Sequence, residues 1–118
     1  MASCVVVIED ELELQQMLVD LLEMNGVEAI GITAPDSIQS IDASLHPDLF
    51  LVDLMLPGMS GIEFTQQLRS AGYADTPMIA MSASRPMLEV AADSHLFQDT
   101  LRKPFDISTL MEVITRNQ

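Results

Sequence analysis

A doubly wound α/β fold, one five-stranded parallel sheet with helices on both faces, is predicted by three features of this sequence. Short apolar runs alternate with segments of helical period five times along the chain. The clearest of these runs, Val5 to Ile8, Leu49 to Val52 and Met78 to Met81, are too short for ordinary helices and are bounded by turn formers or polar residues. Each of the three leads directly into carboxylates or hydroxyls, Glu9-Asp10-Glu11, Asp53 and Ser82-Ala83-Ser84. Ligands of parallel sheets bind beyond those same strand ends.

The elements follow in order. Val5 to Ile8 is the first strand. From Glu11 to Met24 the period changes: Leu14, Met17, Leu18, Leu21 and Leu22 fall at i, i+3, i+4, i+7 and i+8 of a helix whose first turn is acidic and whose stop is Asn25-Gly26. Val27 to Ile32 alternates weakly as a second strand. Pro35 opens a helix with Ile38, Ile41 and Leu45 on one face, ended by His46-Pro47. The third strand is Leu49 to Val52 with Leu54 beyond it, and Asp53 interrupts it. A charge inside an apolar run is costly unless the strand emerges there, and Pro57-Gly58 favours emergence. Ser60 and Glu63 form a capping box for a helix with Phe64, Leu68 and Ala71 on its apolar side. Gly72 to Pro77 is a loop and Met78 to Met81 the fourth strand. A short helix begins around Pro86 with an ill-defined face, and the fifth strand is placed near Asp99 to Arg102. Asp106 caps a last helix marked by Ile107, Leu110, Met111 and Ile114.

The chain is 118 residues long, the size of one domain, so residues 1–118 are read as a single unit. Its 48% hydrophobic content excludes disorder, and no apolar run approaches the roughly 20 residues needed to span a bilayer. No basic segment precedes an apolar one at the start, which predicts no signal peptide, and the single cysteine, Cys4, cannot form an internal disulfide. Both point to the cytoplasm. A net charge of −13, from 18 acidic and 5 basic residues, argues against nucleic acid or an anionic membrane as a direct partner. His46 and His95 lack ligand spacing and are expected at the surface, the nine methionines read as core filler, and Cys4 reads as an inert buried thiol.

Four stretches taken together, E-D-E at Glu9, D-L-M-L-P-G-M-S-G from Asp53, M-S-A around Ser82 and R-K-P-F around Lys103, resemble the signature of bacterial response regulator receiver domains across essentially the whole chain. The resemblance implies a flavodoxin-like sheet of order 2-1-3-4-5. It implies that Asp53 accepts a phosphoryl group, with the carboxylate as nucleophile towards phosphorus. Asp10 and Asp53 would be side-chain ligands of Mg2+, Met55 would add its backbone carbonyl, and Glu9 would act directly or through water. The chemistry agrees with those residue types. Carboxylates about 4 Å apart repel by roughly 1 kcal/mol per pair in water and about 4 kcal/mol at an effective dielectric of 20, so the cluster needs a cation. Magnesium prefers oxygen ligands, water and substrate phosphate in an octahedral arrangement. Lys103 would draw charge from the phosphoryl oxygens, and Ser82 would hydrogen-bond the group once it arrives. The family also carries a cis bond at the position of Lys103-Pro104, and Met55 and Ser84 would flank the path of a hydrolytic water.

Two positions depart from the family pattern. Thr100 stands where the family usually has an aromatic residue, and Leu96-Phe97 replaces the usual Gly-Ala. Phe97 is therefore a candidate to substitute for the missing ring. The reading that follows is a phosphorylation-activated switch, a self-modifying protein rather than a turnover enzyme, with a sensor histidine kinase or phosphotransfer protein as donor and a downstream output protein or domain as partner. Two alternatives stand beside it: a receiver-like scaffold that binds constitutively, and a phosphatase using an aspartyl phosphate, which would instead be expected to carry D-x-D on the first strand.

Overall fold

Short apolar runs buried on both faces must satisfy their backbone groups by pairing with one another, and here they do so in parallel. The computed structural model describes residues 4–33 and 46–118. In chain order its elements are β1 (Cys4–Ile8), α1 (Leu12–Met24), β2 (Glu28–Ile32), β3 (Leu49–Asp53), β4 (Met55–Leu56), β5 (Met59–Ser60), α2 (Gly61–Ser70), β6 (Met78–Ser82), α3 (Arg85–Asp93), β7 (Asp99–Arg102) and α4 (Ile107–Arg116). Five strands form one parallel sheet ordered β2-β1-β3-β6-β7, which is 2-1-3-4-5 among the sheet strands and agrees with the expected flavodoxin-like order. The helix expected from Pro35 lies outside the described residues.

Alternate residues of each central strand serve opposite faces. Val5, Val7, Leu49, Leu51, Ile79 and Met81 pack with Leu18, Val19 and Leu22 of α1 and Leu110, Val113 and Ile114 of α4. Val6, Ile8, Phe50, Val52 and Met78 face Phe64 and Leu68 of α2, while Ala80 meets Leu88 and Ala91 of α3 beside Leu54. Helices thus cover both faces, which is why these strands read as continuous apolar runs.

Helix positions differ from expectation in three places. In α1 Met17 is 49% exposed and Val19 is buried instead, because the Leu/Met stripe was wide enough to fit two rotations of the helix. Ala71 is the exposed C-cap of α2, not part of its buried side, while Thr65 is buried. In α4 the unpredicted Val113 is core. The ill-defined helix is α3, capped by Ser84, whose Oγ accepts from the Met87 N–H at 3.3 Å, with Pro86 in its first turn. The capping box is present too: Ser60 Oγ accepts from the Glu63 N–H at 3.1 Å.

One element went unforeseen. Met55–Leu56 and Met59–Ser60 pair antiparallel across Pro57-Gly58, and Gly58 takes the positive φ (76°) that a proline-first turn of this kind demands at its second central residue. This hairpin leads directly into α2. Gly61 opens that helix tight against β3: a Cβ there would overlap the Asp53 carbonyl and lie 2.7 Å from Leu54 Cα.

At the opposite end of the sheet Arg69 gathers three loop carbonyls through Nη1, those of Tyr73, Ala74 and Thr76 at 3.0, 2.9 and 2.7 Å. Its Nη2 donates to the Leu96 carbonyl at 2.6 Å and Gln98 Oε1 at 2.9 Å. Phe97, between those last two residues, packs against the α2 and α3 cores.

Candidate functional site

The carboxyl ends of β1, β3 and β7 bring the acidic residues and the lysine together. Glu9 follows β1 directly and extends its pairing, its N–H donating to the Ile32 carbonyl at 3.1 Å. Asp53 closes β3, paired in register with Met81. Both carboxylates are buried, and Asp10 between Glu9 and α1 is exposed. Glu9, Asp10 and Asp53 each offer one carboxylate oxygen within 4.8 Å of the others.

Lys103 bridges two of them. Its Nζ donates to Glu9 Oε1 at 2.7 Å and to Asp53 Oδ2 at 2.9 Å. The lysine is brought there by β7, whose pairing with β6 continues as the Lys103 N–H donates to the Ser82 carbonyl at 2.9 Å, and the Lys103–Pro104 bond is cis, as the resemblance implied. The remaining carboxylate oxygens meet backbone donors: Glu9 Oε2 accepts from the Glu11 N–H at 3.2 Å and Asp53 Oδ1 from the Met55 N–H at 2.8 Å. The observed contact of Met55 with the cluster is therefore through its N–H, while its side chain is 64% exposed.

Ser82 is buried one residue beyond Asp53's register partner, and its Oγ accepts from the Ser84 N–H at 3.0 Å. That bond turns the hydroxyl toward the cap of α3.

Three carboxylates with one ammonium leave a net negative cluster in a poorly solvated place. Burial, reinforced by the adjoining Asp53, pushes the Glu9 carboxyl from 4.5 up to about 7, against the opposing hydrogen bond from Lys103. For Lys103 burial pulls the ammonium down, yet its hydrogen bonds to Glu9 and Asp53 outweigh that and hold its pKa above the ordinary value. Such a donor set, hard oxygens with an excess of negative charge, fits a small divalent cation of the magnesium type.

Elsewhere the expectations divide. Cys4 is buried, and burial, then the carboxylates of Glu28 and Asp48, push its thiol up, which suits an inert role. His46 and His95 are at the surface. Thr100 borders an open groove of about 490 Å³ shared with Arg85, Leu88, Glu89, Ala92 and Arg102. Phe97 does not line it. It precedes β7 at the Met78 end and packs against the α2 and α3 cores, a position that does not favour it as a substitute for the missing aromatic. Sequence reading missed Gln15, whose Nε2 donates to the Glu9 carbonyl at 2.8 Å. Its polar position on α1 gave no periodic signal.

Comparison with known proteins agrees with this geometry. A profile of the response regulator receiver domain matches residues 5–115. The phosphate regulon transcriptional regulatory protein PhoB of Escherichia coli is 34% identical over 118 residues, covering 94% of this chain and 49% of PhoB. The chain spans about half the length of the curated relatives it matches. The chemotaxis protein CheY4 of Vibrio cholerae shares the fold with a TM-score of 0.89 at 22% identity, each chain covered in full. The response regulator TrrA of Thermotoga maritima, solved in complex with Mg2+ and BeF, superposes with a TM-score of 0.85 at 22% identity over 98% of this chain and 99% of its own.

Proposed function

The chain belongs to the response regulator receiver domain family, the signalling switches of two-component systems, and from that membership we propose that residues 1–118 form a single receiver domain phosphorylated on Asp53. The observation that carries this is the convergence of Glu9, Asp10, Asp53 and Lys103 at adjoining strand ends.

In this reading an Asp53 carboxylate oxygen attacks phosphorus, the bond from phosphorus to the donor's leaving nitrogen or oxygen breaks, and an acyl phosphate remains on Asp53. The Met55 N–H on Oδ1 holds the carboxylate's plane. Lys103 is already within hydrogen-bond reach of Oδ2, where it stabilises the charge that builds on the phosphoryl oxygens. Ser82 supplies a hydroxyl from the neighbouring strand. Glu9, Asp10, Asp53 and the Met55 carbonyl would hold Mg2+; that TrrA was solved with Mg2+ and BeF supports the choice of ion. When bound, the ion neutralises carboxylate and phosphoryl charge and aligns the reacting oxygens.

Phosphorylation biases a conformational equilibrium only by its difference in interaction energy between states, and the consequence is altered partner binding. The donor is a sensor histidine kinase or phosphotransfer protein and the recipient of the signal a downstream output protein or domain. No described helix is long and apolar enough to cross a membrane, and the charge of −13 disfavours direct contact of this domain with nucleic acid. The domain is a self-modifying switch, acting in the cytoplasm, rather than a turnover enzyme.

Intact-mass measurement after incubation with acetyl phosphate tests the proposal. One phosphate should be added to the wild type, only with Mg2+, and none to Asp53→Asn. Addition that ignores either the ion or the substitution refutes it.

A further inference from the structure

Glu9 depends on a contact that no strand supplies. The β1–β2 ladder ends at the pair Ile8 and Ile32, so the carbonyl of buried Glu9 lies past the last register pair. A buried carbonyl of this kind needs a partner. Its partner is the Gln15 side chain, one turn into α1, with Nε2 at 2.8 Å.

Gln15 can reach back because of what lies beside it. Gly31 pairs with Val7 on β2, and a Cβ at Gly31 would overlap the side-chain amide of Gln15; the three nearest atoms to that position all belong to Gln15. Gly31 does not have the left-handed backbone that would require glycine. The missing side chain therefore serves space alone. It leaves a lane over β2 in which the glutamine amide lies.

We propose that Gln15, seated over Gly31, is a positioning residue for the cation site: by holding the Glu9 carbonyl it fixes the peptide joining Glu9 to Asp10 and so aims both carboxylates at Asp53. This rests on the reading of Glu9, Asp10 and Asp53 as the Mg2+ site. The peptide that Gln15 grips is the one from which both side chains depart. Turned a few tens of degrees, it would no longer present their oxygens to a common point.

Alanine at Gly31 offers a selective perturbation, because the atoms it displaces are the far end of a flexible side chain and not backbone. The test is a Mg2+ titration of the purified chain, followed by the backbone amide signals of Glu9 and Asp10, for wild type, Gly31→Ala, Gln15→Ala and the double variant. Urea unfolding in EDTA is measured on the same proteins. Each single variant should weaken Mg2+ binding about tenfold, the low end for partners of ligating residues. The double variant should be no worse than either single, since both remove the same contact, and Gly31→Ala should lower the urea midpoint no further than Gln15→Ala does, because both strip the same buried carbonyl of its donor. Wild-type Mg2+ affinity in Gly31→Ala overturns the proposal, as does a double variant whose loss is the product of the two, or a fall in the urea midpoint of Gly31→Ala well beyond that of Gln15→Ala. Glu9→Gln is the control for the premise: if it binds Mg2+ as tightly as wild type, the cation site is misread and the positioning role falls with it.

Discussion

Raising the pH from 5 to 8 in EDTA should destabilise the fold through Glu9. Its carboxyl is pushed from 4.5 up to about 7 in the folded chain, so between those values the folded state keeps a proton that the unfolded state has released. Below pH 4.5 both states hold it and nothing is lost. Stability then declines as pH rises through the window and levels off above 7. At about 1.4 kcal/mol per pH unit, the gap corresponds to roughly 3 kcal/mol as an upper bound. That is a large part of the 5–15 kcal/mol typical of a domain. Urea unfolding followed by far-UV circular dichroism measures it, and Glu9→Gln should remove this part of the slope because the amide cannot titrate. Saturating Mg2+ should stabilise the wild type more at pH 8 than at pH 5, since ligands bind metal in the ionised form. Parallel stability curves for wild type and Glu9→Gln would refute the account of this carboxyl.

Four further outcomes follow from packing and hydrogen bonding. Gly61→Ala, which forces a methyl against the Asp53 carbonyl and Leu54 Cα, should cost about 1–3 kcal/mol and slow modification by acetyl phosphate. Arg69→Ala strands three loop carbonyls and the Leu96 carbonyl, while Gln98 Oε1 keeps the Met78 N–H; a loss of about 2–4 kcal/mol in urea is expected, with the acetyl phosphate rate within about twofold of wild type because the acidic cluster is at the other end of the sheet. At Asp99 burial pushes the carboxyl up, but hydrogen bonds from Arg116, Asn117 and the Thr100 N–H outweigh it and hold it below the usual range. The stability this gives is present above pH 4 and lost as pH falls through the depressed value, so Arg116→Ala should lower the thermal midpoint slightly at pH 7 and by less as the pH is taken down below 4. Phe97→Ala should cost about 2–3 kcal/mol in urea, as expected of a ring anchored in two cores, without changing any phosphorylation-dependent binding.

The site was the most legible part of the chain, for a physical reason. Asp53 could not sit inside an apolar strand without an exit, and the other strand ends carried polar groups at the same level, so parallel pairing alone brings them together. The fifth strand at Asp99–Arg102 lay in the least readable part of the chain, because Asp99, Thr100 and Arg102 leave no apolar run to mark it. Local periodicity failed where it was degenerate. Leucine and methionine at five positions of α1 define too broad a stripe to choose between Met17 and Val19, and two-residue strands such as Met55–Leu56 carry no period at all. Gln15 was invisible because its meaning depends on the void at Gly31, sixteen positions on and in another element. The packing of Phe97 was not legible, because being near Thr100 in sequence says little about which end of a strand a ring will occupy.

The bond between Ser82 Oγ and the Ser84 N–H bears on how a signal could leave a domain that has Thr100 in place of a ring. A hydroxyl can donate one proton while still accepting, so Ser82 can reach for a phosphoryl oxygen without letting go of Ser84. Ser84 is the residue on which α3 begins. Any travel of the hydroxyl is thereby towed into the start of that helix, and the amides of Met87 and Leu88, ahead of anything at Thr100, are where an amide spectrum should register it first.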